Sequence, residues 1–363
     1  MTEENKGFKN CFLCLKNKKI NTFNLETKLI DEFGGAGYYF DKISYVGYDK
    51  SEVITAAIKD ACLNFENVLI VCPKDMEEAL SGYAGKLLGT QFDNFGFLHM
   101  DKTDVFMYFS DMDTVAKPSD FIKILDKKYE SKFEKSFIKT VGAPEEVISS
   151  ALGKAKKICA GLSFNVKDKF GDCSIEIVYE SSTPKAVYDG AIRTLVSELK
   201  DYIYALEDIT LEERLFQLLK LRRMKISTAE SFTGGGVSKR LVSVSGVSEV
   251  FFEGLNTYSN ESKAERLGVE TETLRRYGAV SKETAYEMAA GLIAGGNCDV
   301  AVATTGIAGP KSDNTLKPVG LLYIAIGKKD GVSVYEYNLK GSRENITERA
   351  INLALFLAYK SVK

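Results

Sequence analysis

The stretch K-I-S-T-A-E-S-F-T-G-G-G, residues 225–236, reads as a short strand that stops, a turn carrying two hydroxyl residues, and a glycine run that opens a helix. Three consecutive glycines cost conformational entropy unless the backbone must turn tightly or approach something closely. A strand that ends in such a run and continues as a helix is the junction expected of an α/β fold. Loops at the carboxyl ends of parallel strands are where such folds bind ligands. The junction would set N–H groups of a helix start beside Ser231 and Thr233. Such groups carry partial positive charge and hold an anion or a developing oxyanion. The plainer alternative is that Ser231 or Thr233 caps the helix while the glycines permit close helix contact.

Working outward, D-V-A-V-A-T-T-G (299–306) and G-L-L-Y-I-A-I-G (320–327) read as buried strands. G-V-S-V-Y-E-Y-N-L (331–339) returns through a turn at Asp330-Gly331, and a last helix begins near Ser342. Upstream, Thr210 and Glu213 have the spacing of a capping box, ahead of a stripe formed by Leu211, Leu215, Leu218 and Leu219. Residues 207–363 are therefore expected to form a three-layer α/β domain. Residues 136–206 read as a small α+β domain, with a helix from Pro144, a hairpin around Gly171 and a second helix from Pro184. Residues 1–130 alternate strand and helix, with V-I-T-A-A-I-K-D-A-C-L (53–63) helical and N-V-L-I-V-C (67–72) a buried strand. That pattern predicts an α/β sandwich around a largely parallel sheet.

Composition narrows the function classes. Of 363 residues 45% are apolar and 27% charged, with a formal net charge of −2 and pI near 5.8. Such a balance gives no electrostatic invitation to nucleic acid or to an anionic membrane. No apolar run approaches the roughly 20 residues of a membrane span, and M-T-E-E-N-K-G-F-K-N lacks the apolar core of a signal peptide. The seven cysteines have no disulfide-framework spacing, which suits a reducing cytoplasm. Cys11 and Cys14 form a single C-x-x-C without the second pair or histidines that a zinc site would want. The one histidine, His99, stands beside Phe97, Leu98 and Met100 and reads as a core residue. A Ser-His-Asp arrangement around Ser231 is therefore disfavoured.

Three more stretches carry chemistry. In N-T-Y-S-N-E-S-K (256–263), Asn260 is a natural N-cap and Lys263 falls in the first helical turn. There the helix dipole opposes its charge, and partial burial would lower its pKa until it could take a proton from serine. As a plain surface charge it would simply sit near Glu261. T-G-I-A-G-P (305–310) follows a buried strand, and K-P-V-G (317–320) precedes the next. Arg343, in G-S-R-E-N (341–345), sits at a helix start as a candidate clamp for phosphate or carboxylate.

Together A-E-S-F-T-G-G (229–235), Y-S-N-E-S-K (258–263), G-A-V-S (278–281), T-G-I-A-G-P, K-P-V-G and the G-x-R start of the last helix resemble the C-terminal domain of CinA proteins, the nicotinamide-nucleotide amidases. Phe232 stands where that family usually has cysteine. The resemblance implies hydrolysis of the carboxamide of nicotinamide mononucleotide to nicotinic acid mononucleotide and ammonia, with no metal or organic cofactor. It implies Ser231 as nucleophile, Lys263 as its base and Tyr258 close to the reacting group. Thr233, Gly234, Gly235, Thr305, Gly306, Gly309 and Arg343 would then bind substrate, and the protein would be a cytoplasmic homodimer. More weakly, residues 136–206 are similar to the middle domain of full-length CinA proteins. Residues 1–130 resemble their molybdopterin-binding-like domain through S-Y-V-G-Y-D-K-S-E-V (44–53).

Relatives with ADP-ribose pyrophosphatase activity carry a Gly- and Asp-rich loop where this chain has V-C-P-K-D-M-E-E (71–78). C-L-K-N-K-K (14–19) stands where the family has an acidic opening. The N-terminal domain is therefore expected to keep the scaffold without that chemistry. The alternatives are a non-catalytic nucleotide-binding or competence-associated protein, and a retained N-terminal pyrophosphatase.

Overall fold

A computed structural model describes residues 10–16, 25–47, 50–89, 91–93, 96–99, 102–109, 118–130, 132–310 and 316–363. Two compact units result: residues 1–135 with 160–165 and 176–187, and residues 136–159 with 166–175 and 188–363.

The first unit is built on β1 (Asn10–Lys16), α1 (Leu25–Gly35), β2 (Lys42–Gly47), α2 (Ser51–Asn64), β3 (Asn67–Cys72), α3 (Glu77–Leu88), β4 (Phe97–His99), β5 (Asp104–Phe109) and α4 (Pro118–Tyr129). Its sheet has the order β2-β1-β3-β5-β4, parallel except for β4. Strand β3 is buried at every position, as a central parallel strand covered by helices on both faces must be. Cys11, Leu13 and Leu15 pack with Ile54 and Ile58 of α2, while Phe12 and Cys14 pack with Leu29, Phe33, Phe121 and Leu125 of α1 and α4. Residues three apart on a strand face opposite ways, so the two cysteines of the C-x-x-C cannot share a ligand.

His99 departs from expectation. Its side chain is 69% exposed and bonds through Nδ1 to Asp104. On the short strand β4 it is Leu98 that enters the core, and alternation turns the next residue outward.

The sequence continues with β6 (Phe133–Val141), α5 (Glu145–Ile158), β7 (Ser163–Lys169), β8 (Asp172–Glu180), α6 (Lys185–Leu199) and β9 (Ile203–Ala205). Their strands pair in the order β7-β8-β6-β9.

The C-terminal part comprises α7 (Leu211–Arg222), β10 (Ile226–Glu230), α8 (Gly236–Val242), β11 (Phe251–Asn256), α9 (Asn260–Leu267), α10 (Thr271–Tyr277), α11 (Lys282–Ala294), β12 (Val300–Gly306), β13 (Leu321–Lys328), β14 (Gly331–Asn338) and α12 (Arg343–Val362). The capping box at α7 forms as expected, with Glu213 N donating to Thr210 Oγ1 and Thr210 N to the Glu213 carboxylate. The terminal hairpin turns at Lys329-Asp330, one residue earlier than expected, with Gly331 already paired to Lys328.

The sheet order is β11-β10-β12-β13-β14, with β10 parallel to both neighbours and the last two pairings antiparallel. Its two faces differ in volume. Val300, Val302, Leu322, Ile324 and Ile326 meet α7, α8 and α12, whereas Ala229, Ala301, Ala303 and Ala325 let α11 come close. Each fully buried Val, Leu or Ile contributes about 1.5–3 kcal/mol, so the α12 face carries more of the stability. This is the three-layer domain expected for the C-terminal segment.

Candidate active site

Sheet order locates the site. The chain builds β10 first, then β11 on one side of it and β12 on the other. The crevice at the carboxyl ends of β10 and β12 is therefore a topological switch point, where open α/β sheets receive ligands. Ser231 follows β10 directly, and its N–H donates to Thr304 O on β12 at 3.0 Å.

The glycine run answers two needs. Gly234 and Gly235 have φ of +61° and +91°, and a Cβ on either would meet nothing within 4 Å, so conformation requires them. Gly236 is required by proximity, since a Cβ there would lie 2.3 Å from Ile351 Cδ1 on α12. The turn thus ends in two consecutive left-handed residues, and the Gly234 N–H is used internally, donating to Ser231 O. The N–H groups of Thr233 and Gly235 meet no acceptor among the described residues. Those of Val237 and Ser238 are not free, because both donate to the Glu230 carboxylate.

The two hydroxyl residues diverge. Thr233 Oγ1 donates to Glu230 Oε2 at 2.8 Å and lies 2.7 Å from Thr304 Oγ1, so its side chain braces the turn. Ser231, 9% exposed, faces Lys263 instead, with Oγ 3.1 Å from Nζ.

Lys263 is brought there by α9. The cap of this helix is Ser259, whose hydroxyl accepts from Ser262 N at 3.1 Å, and Asn260 is the first helical residue rather than the cap. Ser and Asn cap equally well, so a local pattern does not choose between neighbours. Lys263 is fully buried, not partly, and no carboxylate lies within ion-pair distance among the described residues. Its amine is 2.8 Å from Thr257 O and 3.1 Å from Tyr258 O. Burial lowers its pKa from 10.5 to about 8, with the more distant Glu261 charge acting weakly in the opposite sense.

A neutral amine has two N–H donors and one lone pair. The two carbonyls can only accept, so in the neutral state the lone pair is left for the Ser231 hydroxyl proton. That is the geometry of a serine with its base.

The other expected residues take varied positions. Tyr258 serves Lys263 through its backbone carbonyl, while its side chain is 65% exposed. Thr305 is buried and donates to Ala279 O at 2.7 Å, tying β12 to the G-A-V-S turn. Gly306 and Gly309 permit close packing, as a Cβ on them would lie 2.6 Å from Leu322 Cβ and 2.7 Å from Val319 Cγ1. Arg343 is the first residue of α12 and donates to Gly309 O at 2.7 Å, holding the 305–310 loop. Lys317 similarly donates to Tyr277 O and Val280 O. Phe232 is buried in the core against the α12 side, so its bulk is spent on packing. Sequence reasoning passed over Glu230, which is wholly buried beside the nucleophile. The one available signal was a carboxylate closing an otherwise apolar strand.

No group of three or more His, Cys, Asp or Glu side chains with metal-binding geometry occurs among the described residues. No described helix is long and apolar enough to cross a membrane.

Comparison with known proteins agrees with this architecture. Residues 208–362 match the family described as the CinA C-terminal domain, and this segment of the chain belongs to that family. A protein of Caldicellulosiruptor saccharolyticus named as competence-damage inducible is 35% identical over 244 residues, 66% of this chain and 59% of its own. A CinA-like protein of Kosmotoga olearia is 43% identical over 175 residues, 47% of this chain and 42% of its own. The matched region thus spans less than two thirds of these relatives' length. Among solved structures, the competence/damage inducible protein CihA of Agrobacterium tumefaciens is 38% identical, with a TM-score of 0.40, covering 40% of this chain and 90% of that one.

Proposed function

We propose that the C-terminal domain is an amidohydrolase that cleaves the carboxamide of nicotinamide mononucleotide, releasing ammonia and nicotinic acid mononucleotide. One observation carries this reading: a fully buried lysine amine, held by the carbonyls of Thr257 and Tyr258, stands 3.1 Å from the hydroxyl of Ser231. Membership of this segment in the CinA C-terminal family supports the choice of substrate.

In the first step Ser231 Oγ attacks the amide carbon while its proton passes to Lys263 Nζ. The developing oxyanion is met by the N–H groups of Thr233 and Gly235. The tetrahedral species collapses as Lys263 returns the proton to the departing nitrogen, which leaves as ammonia. Water then attacks the acyl-serine, again with Lys263 accepting and returning the proton. The test is ammonia release from nicotinamide mononucleotide, with the acid product identified by chromatography. Turnover confined to other amides would overturn the substrate. No turnover of any amide, with Ser231 unreactive, would overturn the chemistry.

A further inference from the structure

We infer that Glu230 is a positioning residue that holds the nucleophile turn in register with Lys263. This rests on the serine–lysine reading of the site, though not on the identity of the amide. Glu230 is the last residue of β10 and is wholly buried. Its carboxylate receives four hydrogen bonds of 2.7–3.0 Å, two to each oxygen. Oε2 accepts from Thr233 Oγ1 and Val237 N, and Oε1 from Ser238 N and Ser238 Oγ. No lysine or arginine lies within ion-pair distance of it among the described residues. Its charge is balanced only by these donors and by the positive end of α8.

Burying a carboxylate is a costly way to cap a helix, since a surface Ser or Asp would do the same with little penalty. The arrangement differs from a plain cap in what it encloses. The carboxylate joins the end of β10 to the first turn of α8, and the turn between them carries Ser231. The Thr233 hydroxyl extends the brace to Thr304, whose carbonyl accepts from Ser231 N. Gly254 on β11 leaves room for Ser238 Oγ, since a Cβ there would lie 2.2 Å from it. Two left-handed glycines make the turn intrinsically soft. The Glu230 network supplies the rigidity that an attacking serine needs, because a displacement near 1 Å can cost about a hundredfold in rate.

The experiment uses Glu230→Gln, which keeps the volume but sets an amide NH2 against N–H and O–H donors. Two rates are measured on the full chain well below its melting temperature: ammonia release, and modification of Ser231 by a fluorophosphonate followed by mass spectrometry. In the latter the Ser231 Oγ–P bond forms, fluoride leaves, and the hydroxyl proton goes to Lys263. The expected result is a fall of about a hundredfold in both rates with KM changed less than about threefold. The pH at which the rate levels should stay unchanged, because Lys263 keeps its own contacts. A folded variant whose modification rate stays within threefold of wild type overturns the proposal.

If wild type is modified but releases no ammonia, the substrate reading fails and the modification rates still decide the role of Glu230. If wild type shows neither reaction, Ser231 is no activated nucleophile and both readings fall. Should Glu230→Gln not fold, Ser238→Ala decides. That change removes one hydroxyl donor and leaves both N–H donors, with about a tenfold loss expected and an unchanged rate overturning the role.

Discussion

The two five-stranded sheets of this protein repeat one topology and differ in what stands at its crevice. In each, the first strand lies between the second and the third, giving β2-β1-β3 in one unit and β11-β10-β12 in the other. In the C-terminal sheet the strand end is followed by Ser231 and two glycines of positive φ, with Lys263 delivered from α9. In the N-terminal sheet β3 runs into Pro73, which has no N–H to offer, and then into a 3-10 turn at Lys74–Met76. Lys74 there pairs with Glu77 on the surface, and Asp75 is exposed. The lesson is that topology supplies a crevice, while reactivity needs softened backbone, a nucleophile and a buried base assembled in it.

The largest effect that could break this contrast is loss of the pair itself. Ser231→Ala and Lys263→Ala should each lower kcat on the amide by at least about a thousandfold, and the double variant should lose little more, since members of one unit are not additive. Near-normal turnover in Lys263→Ala would leave the C-terminal crevice as uncommitted as the N-terminal one.

Next comes pH. With the Lys263 pKa near 8, its neutral form grows about tenfold per pH unit below that value and then saturates. kcat/KM should rise correspondingly from pH 6 and level above pH 8. A flat profile would remove the lysine from the role of base. The same displacement affects stability. Lys263 binds its proton more weakly when folded than when unfolded, so stability is gained as pH rises from about 8 to 10.5. Relative to Lys263→Met, wild type should gain about 3 kcal/mol over that interval, at about 1.4 kcal/mol per pH unit. Denaturant titrations at both ends would check it, and no relative gain would mean that the amine is not desolvated.

Smaller effects should separate the glycines. Gly236→Ala forces Ile351 to move and should cost about 1–3 kcal/mol of stability. Gly235→Ala meets open space but a left-handed φ, and should cost roughly 1–2 kcal/mol. Equal melting temperatures for the two variants and wild type would refute this division of roles. The smallest expected effect is none: incubation with ADP-ribose and magnesium, manganese or cobalt should yield no AMP, and Asp75→Ala should change nothing. AMP formation that survives Ser231→Ala and vanishes with Asp75→Ala would show a working N-terminal site.

The features legible in sequence were those decided by near neighbours in the chain. Strand and helix periodicity, the Thr210–Glu213 cap and the turn at 234–235 depend on residues a few positions apart, and they formed where the pattern placed them. Ser231 and Lys263 could be named for the same reason, as parts of short motifs. Their meeting could not be, because it depends on how β10 and α9 are packed. The cap of α9 moved by one residue, His99 went outward and Thr233 turned to Glu230, each decided by which distant segment supplied cover or a donor. Sequence alone determined the α/β alternation and the identity of the reactive side chains. Only tertiary structure decided that Lys263 would lose water entirely, that two carbonyls would orient its lone pair, and that a buried carboxylate would brace the turn. Desolvation and hydrogen-bond geometry are properties of an enclosed volume, and no short stretch of chain encloses one by itself.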